Sequence, residues 1–196
     1  MMTTNRFTAI TAAFAGIFVT TLVVSASSPT ATPGTSTANV SVARGEYLVT
    51  TSGCHDCHTP WKMGANGPEP DMTRALTGHP ADFVMPPAPK LPPGPWIWMG
   101  GATNTAFAGP WGTSFAANLT PDKATGTGDW TVEQFIASLR TGRRLGKGRP
   151  VLPPMPAAVY AKMTDDDLRS IFAYLQSLKP MSNKVPQPVE PAEGGL

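Results

Sequence analysis

The residues of this chain best suited to chemistry stand in one short run, Cys54-His55-Asp56-Cys57-His58. It uses both of the chain's cysteines and two of its three histidines. Thiols three positions apart on one helical turn can each reach a vinyl group of the same porphyrin and form a thioether, and the histidine that follows is carried beneath the iron. C-x-x-C-H is the haem attachment pattern. Other chemistries fit this run less well. A Cys54–Cys57 disulfide would close too small a loop to stabilise a domain much. A thioredoxin-like redox pair belongs in an alternating strand and helix pattern, which the flanking sequence lacks. Structural zinc takes four ligands, and beyond Cys54, Cys57 and His58 the sequence offers only His55 and His79. The expectation is one covalent haem c on Cys54 and Cys57, with His58 as an iron ligand.

A second axial ligand is expected from Met155, in Val151-Leu152-Pro153-Pro154-Met155-Pro156. Three prolines fix the φ angles of that backbone, and a rigid loop lowers the entropic cost of holding a weak thioether ligand in place. The rivals are His79, Met85 and an open site. His79 precedes a proline and reads as a turn residue, and Met85 reads as a gap filler. The ring nitrogen of His58 that faces away from iron should find a hydrogen-bond acceptor, which the spacing does not name.

These residues need elements to position them. A short helix is expected over Val42–Ser52, running directly into Cys54. A second starts at Thr131, where Thr131 and Gln134 form a capping box, Trp130 can staple onto Phe135, and Gly142 is a natural stop. A third follows Thr164, with Asp167 in the reciprocal capping position and Met163 stapling onto Leu168. Its Leu168, Ile171, Phe172, Leu175 and Leu178 recur at helical spacing, and Pro180 closes it. Between residues 59 and 129 the chain is rich in Pro, Gly and aromatics without a helical period, so an irregular but ordered insertion is expected there, its Trp and Phe side chains needing burial.

The ends read differently. Asn5 and Arg6 precede an uncharged apolar run over residues 7–24, followed by Val24-Ser25-Ala26. Residues 1–26 are therefore expected to be a cleaved signal peptide or an uncleaved N-terminal membrane anchor, and either reading implies export. Residues 27–40 have linker composition, and residues 183–196 read as a Pro-rich tail. A net charge of +2 without a basic helix interleaved with aromatics sets nucleic acid aside. Arg140, Arg143, Arg144, Lys147 and Arg149 do form a basic stretch without an acid, leading into the methionine loop.

The helix into Cys54, the loop Pro154-Met155-Pro156 and the run Phe172-Ala173-Tyr174-Leu175 resemble class I cytochromes c. Four further segments, Arg44-Gly45-Glu46-Tyr47-Leu48, Gly78-His79-Pro80, Asn118-Leu119-Thr120-Pro121-Asp122 and Leu152-Pro153-Pro154-Met155-Pro156, are similar to a bacterial group with one haem and a long insertion. The resemblance covers residues 42–180 and implies an all-α domain over 41–182, with 59–129 inserted between the haem motif and the methionine loop. It also implies His58/Met155 ligation and an electron carrier rather than an enzyme. Such a protein would pass one electron from a periplasmic or membrane dehydrogenase to a cytochrome or oxidase, either in solution or tethered to the inner membrane through residues 7–24. The alternatives are a haem-bearing subunit of a membrane dehydrogenase complex, or a haem enzyme or sensor with an open sixth position.

Overall fold

The computed structural model of the chain describes residues 40–91 and 94–191. The expectations for the apolar N-terminal run, and for the linker up to residue 39, lie outside these residues. Among the described residues no helix is long and apolar enough to cross a membrane.

Helix α1 (Val42–Thr51) starts where Ser41 accepts from the Arg44 N–H, and helix α5 (Asp165–Ser177) starts where Thr164 accepts from the Asp167 N–H. The two helices pack closely because Gly45 has no side chain. A Cβ there would land on the Ser170 carbonyl and the Cβ of Tyr174. Leu48 and Val49 from α1 and Leu168, Ile171, Phe172 and Leu175 from α5 fill the resulting core, joined by Phe135 and Leu76. Each such side chain contributes about 1.5–3 kcal/mol when fully buried. The Asp167 carboxylate does not return to its own helix start as the capping pattern predicts. It accepts from Arg44 Nε at 3.0 Å, linking α5 to α1 instead.

Helix α2 (Cys54–His58) follows α1 after Gly53, whose φ of +71° makes the turn between them. Helix α3 (Val132–Thr141) carries the expected capping box in full, with Thr131 and Gln134 each receiving the other's backbone N–H. It ends at Gly142, in the left-handed conformation. A single-turn helix, α4 (Ala157–Tyr160), comes after the methionine loop.

The all-α expectation needs correction within the insertion. Strands β1 (Trp61–Gly64) and β2 (Gly67–Pro70) form a hairpin, and β3 (Met99–Gly100), β4 (Ala106–Gly109) and β5 (Gly112–Phe115) form an antiparallel sheet in the order β3-β4-β5. Tight turns account for both hairpins: Gly64 pairs Gly67 and Gly109 pairs Gly112, leaving two residues at each tip. The aromatics of the insertion divide. Phe107 is buried, whereas Trp96 is 75% exposed and Trp98 lies edge-on to Phe107 at the surface. Residues after α5 are also built in: Asn183 is buried, and Val189 exchanges two backbone hydrogen bonds with Thr113 of β5.

The α1–α5 crossing yields a test of the packing. Gly45→Ala should lower stability by about 1–3 kcal/mol through overpacking, read as a lower thermal midpoint. Arg44→Ala should cost less than about 1 kcal/mol, because its ion pair with Asp167 is partly exposed. A Gly45→Ala protein with the parent's midpoint would show that the helices do not meet there.

Candidate functional site

Cys54, Cys57 and His58 share the single turn of α2, so the sequence run becomes one compact face. Neither cysteine is in a disulfide, and both are half-buried. Burial pushes the Cys54 thiol up to about 11, with the charges of Asp56 and Cys57 adding to the effect. Burial, and then Asp56, raise Cys57 as well. Both thiols are therefore protonated near neutrality. A redox-active Cys-x-x-Cys pair is tuned the opposite way, towards the thiolate. Among the described residues no three His, Cys, Asp or Glu side chains converge as metal ligands need to. What the turn does offer is a pair of free thiols beside a shielded imidazole.

His58 is buried, and its Nδ1 donates to the Ala117 carbonyl at 2.8 Å. Burial lowers its pKa, partly offset by that hydrogen bond, so the ring is neutral with its proton committed to Nδ1. The lone pair then resides on Nε2, the state an iron ligand requires. Ala117 is the acceptor that the spacing did not name. Gly78 holds it in place: its N–H donates to the His58 carbonyl at 2.8 Å, and a Cβ at Gly78 would collide with the Ala116 and Ala117 carbonyl groups. Its φ of +76° independently favours glycine. Leu76, fully buried, sits alongside at a strained φ of +60°, held by its N–H to Thr59 Oγ1 and its carbonyl to the Leu119 N–H.

The insertion grips the same turn. The Asp56 carbonyl accepts from both Trp61 Nε1, at 3.1 Å, and Asn104 Nδ2, at 2.7 Å. His79 is fully buried with both ring nitrogens engaged, Nδ1 with Thr105 Oγ1 and Nε2 with the Phe83 carbonyl, each at 2.9 Å. Neither nitrogen is left for iron, and His79 is a structural pin between the two halves of the insertion. His55 Nδ1 pairs with Thr59 Oγ1 at 2.9 Å.

Met155 stands on a separate, half-buried loop that is anchored at three points. The Val151 N–H donates to the Gly142 carbonyl at the end of α3, Ser114 of β5 donates to the Pro153 carbonyl at 2.6 Å, and Tyr160 donates from its hydroxyl to the Ser52 carbonyl at 2.7 Å. The last bond ties the loop to the segment entering Cys54. On the same β4–β5 hairpin, the indole N–H of Trp111 is buried without an acceptor among the described residues. An unpaired buried donor costs about 1–3 kcal/mol, and a haem brings two propionate carboxylates that could accept it. Free thiols, a tautomer-fixed imidazole, a braced methionine loop and an orphan donor all suit a covalent haem.

Comparison with known proteins gives the same reading. The sequence model of the family described as "Cytochrome c" matches residues 42–179. The fructose dehydrogenase cytochrome subunit of Gluconobacter japonicus is 29% identical over 148 residues, which are 75% of this chain and 23% of that protein. The cytochrome c subunit of the quinone alcohol dehydrogenase of Gluconobacter oxydans (strain 621H) is 32% identical over 148 residues, or 74% of this chain and 23% of that protein. The gluconate 2-dehydrogenase cytochrome c subunit of Pantoea cypripedii is 38% identical over 68 residues, covering 35% of this chain and 15% of that protein. The chain thus spans less than a quarter of the length of these curated relatives. With the family match extending from α1 through α5, the chain belongs to the cytochrome c family and carries one covalently bound haem c.

Proposed function

We propose that this chain is an exported electron-transfer module whose haem is bonded through Cys54 and Cys57, with His58 and Met155 as its two axial iron ligands. The observation that carries the assignment is the His58–Ala117 hydrogen bond, which fixes the imidazole tautomer and leaves Nε2 for the metal. The bound haem supplies a reversible one-electron change at iron. The chain's part is to keep that change inexpensive. His58 and Met155 would both hold the iron, which would limit rearrangement between the two redox states, and a histidine–methionine pair would raise the potential. The two hydrogen bonds that engage both ring nitrogens of His79 support Met155 over it as the sixth ligand. The braced loop around Met155 favours transfer over an open-site enzyme or sensor.

The relatives' names favour service within a dehydrogenase complex, since those proteins are cytochrome subunits of fructose, alcohol and gluconate dehydrogenases. On this reading the chain would serve one-electron transfer between a dehydrogenase and a downstream cytochrome or oxidase, on the periplasmic side of the inner membrane. Part of the basic stretch before the methionine loop has structural work to do. Arg140 bonds Asp165 and the Met163 carbonyl near the start of α5, and Arg144 lies over the Trp130 ring. Arg143, Lys147 and Arg149 are exposed and suited to guide an acidic partner towards the loop.

Three outcomes follow. Denatured protein from cells competent in c-type maturation should carry the mass of one haem, and Cys57→Ala should lose most holoprotein; a parent mass equal to the bare chain would refute covalent attachment. Met155→Ala should lower the reduction potential and remove the weak far-red charge-transfer band of ferric iron bound to thioether sulfur, whereas loss of that band in Met85→Ala instead would move the ligand. Reduction by the physiological donor should slow as salt rises, since exposed charges are screened beyond about 10 Å at 0.1 M ionic strength. Arg143→Glu combined with Lys147→Glu should flatten that dependence.

A further inference from the structure

Beyond the iron ligands themselves, we propose that Asn183, in the segment after the last helix, is a positioning residue that sets the strength of the His58–Ala117 hydrogen bond and thereby the reduction potential of the haem. The proposal rests on the ligand assignment above and adds a residue to it.

Asn183 is 8% exposed and uses every polar atom of its side chain. Its Nδ2 donates to the Thr77 carbonyl at 2.7 Å and to the His79 carbonyl at 2.8 Å, the residues on either side of Gly78. Its Oδ1 accepts from the Ala81 N–H at 2.9 Å. Two carbonyls facing one side-chain atom require a group with two hydrogens to give, which an amide nitrogen supplies and a carboxylate does not. The clamp therefore demands asparagine at this position.

The clamp brackets Gly78, the residue set against both the axial histidine and its partner. The Gly78 N–H holds the His58 carbonyl, the Gly78 Cα packs against the Ala117 carbonyl group, and the His79 N–H holds the Ala116 carbonyl at 2.9 Å. A second path closes from the other side. The Asn183 N–H donates to Thr125 Oγ1 at 3.0 Å, and Asn118, next to Ala117, donates to that same oxygen at 3.1 Å and to the Met181 carbonyl at 2.8 Å. Thr125 in turn donates to Asp122 at 2.6 Å, which completes a saturated network. Residues 181–183 thus brace both segments around the Ala117 carbonyl, 77–81 from one side and Asn118 from the other.

A shorter His58–Ala117 bond makes the imidazole more basic and a better donor to ferric iron, which lowers the potential. Loosening the brace should do the reverse. The test is redox titration of the purified holoprotein, together with the ring N–H resonance of His58. Asn183→Ala should shift the potential upward and move that resonance to higher field, as a weakened hydrogen bond does. Thr125→Val, of similar size, leaves the Asn183 side-chain bonds in place and removes only the second path through Thr125 Oγ1; it should shift both in the same direction by less, and it supplies the answer if Asn183→Ala yields no holoprotein. A lowered thermal midpoint with the parent's potential and resonance in these variants would make Asn183 merely structural and overturn the proposal. Failure of the underlying assignment is distinguishable, because the parent protein itself would then lack a haem-coordinated His58 resonance.

Discussion

The hydrogen bond from His58 Nδ1 to the Ala117 carbonyl is the interaction on which the rest of this structure turns. It joins a helix near the start of the domain to a strand-like segment at the far side of the insertion. Without it the imidazole would be free to rotate and to exchange tautomers inside a buried site, where an unpaired ring N–H also costs stability. Two residues with left-handed backbone lie along this join. Gly78 takes a left-handed φ against the acceptor carbonyl, Leu76 is held strained beside it, and Thr59 uses its hydroxyl to satisfy the Leu76 N–H. Strain of this kind persists only where the surroundings over-determine it.

The two halves of the site are supported by different physics. The thiol side depends on apolar packing: α1 and α5 cross at Gly45, and their buried faces form the core against which Cys54 packs. The methionine side depends on polar bracing, through Ser114, Tyr160 and the end of α3. A thioether is a weak ligand, so the role proposed for Met155 would benefit from a stiff loop. The insertion does more than decorate the domain, since Trp61 and Asn104 hold the carbonyl of Asp56 within the haem turn itself and β5 holds the methionine loop.

What the sequence revealed and what it concealed divide along the range of the interactions. Local signals were legible. The capping box of Thr131 and Gln134, the Gly142 stop and the buried stripe of α5 all depend on residues within a few positions of one another. Asp167 shows the limit: its local role as a capping partner lost to Arg44, a long-range competitor that offers a charged donor. The strands of the insertion were illegible because they are short, carry glycine and proline, and lack the alternation of a half-buried strand. The acceptor for His58 could not be read either, because a backbone carbonyl leaves no mark in residue type. Its supports did leave marks, in Gly78-His79-Pro80 and Asn118-Leu119-Thr120-Pro121-Asp122, whose meaning emerges only when both are seen to flank the same hydrogen bond. Asn183 lay hidden in what composition describes as a tail.

The central claim is that this chain holds a covalent haem whose iron is ligated on both sides, by His58 and Met155. The most direct measurement is the visible and near-infrared absorption spectrum of the purified protein, oxidised and then reduced. The account predicts a six-coordinate low-spin c-type spectrum in both states, with the thioether-to-iron charge-transfer band present when oxidised and lost on reduction. A high-spin ferric spectrum, or a low-spin one lacking that band, would contradict it.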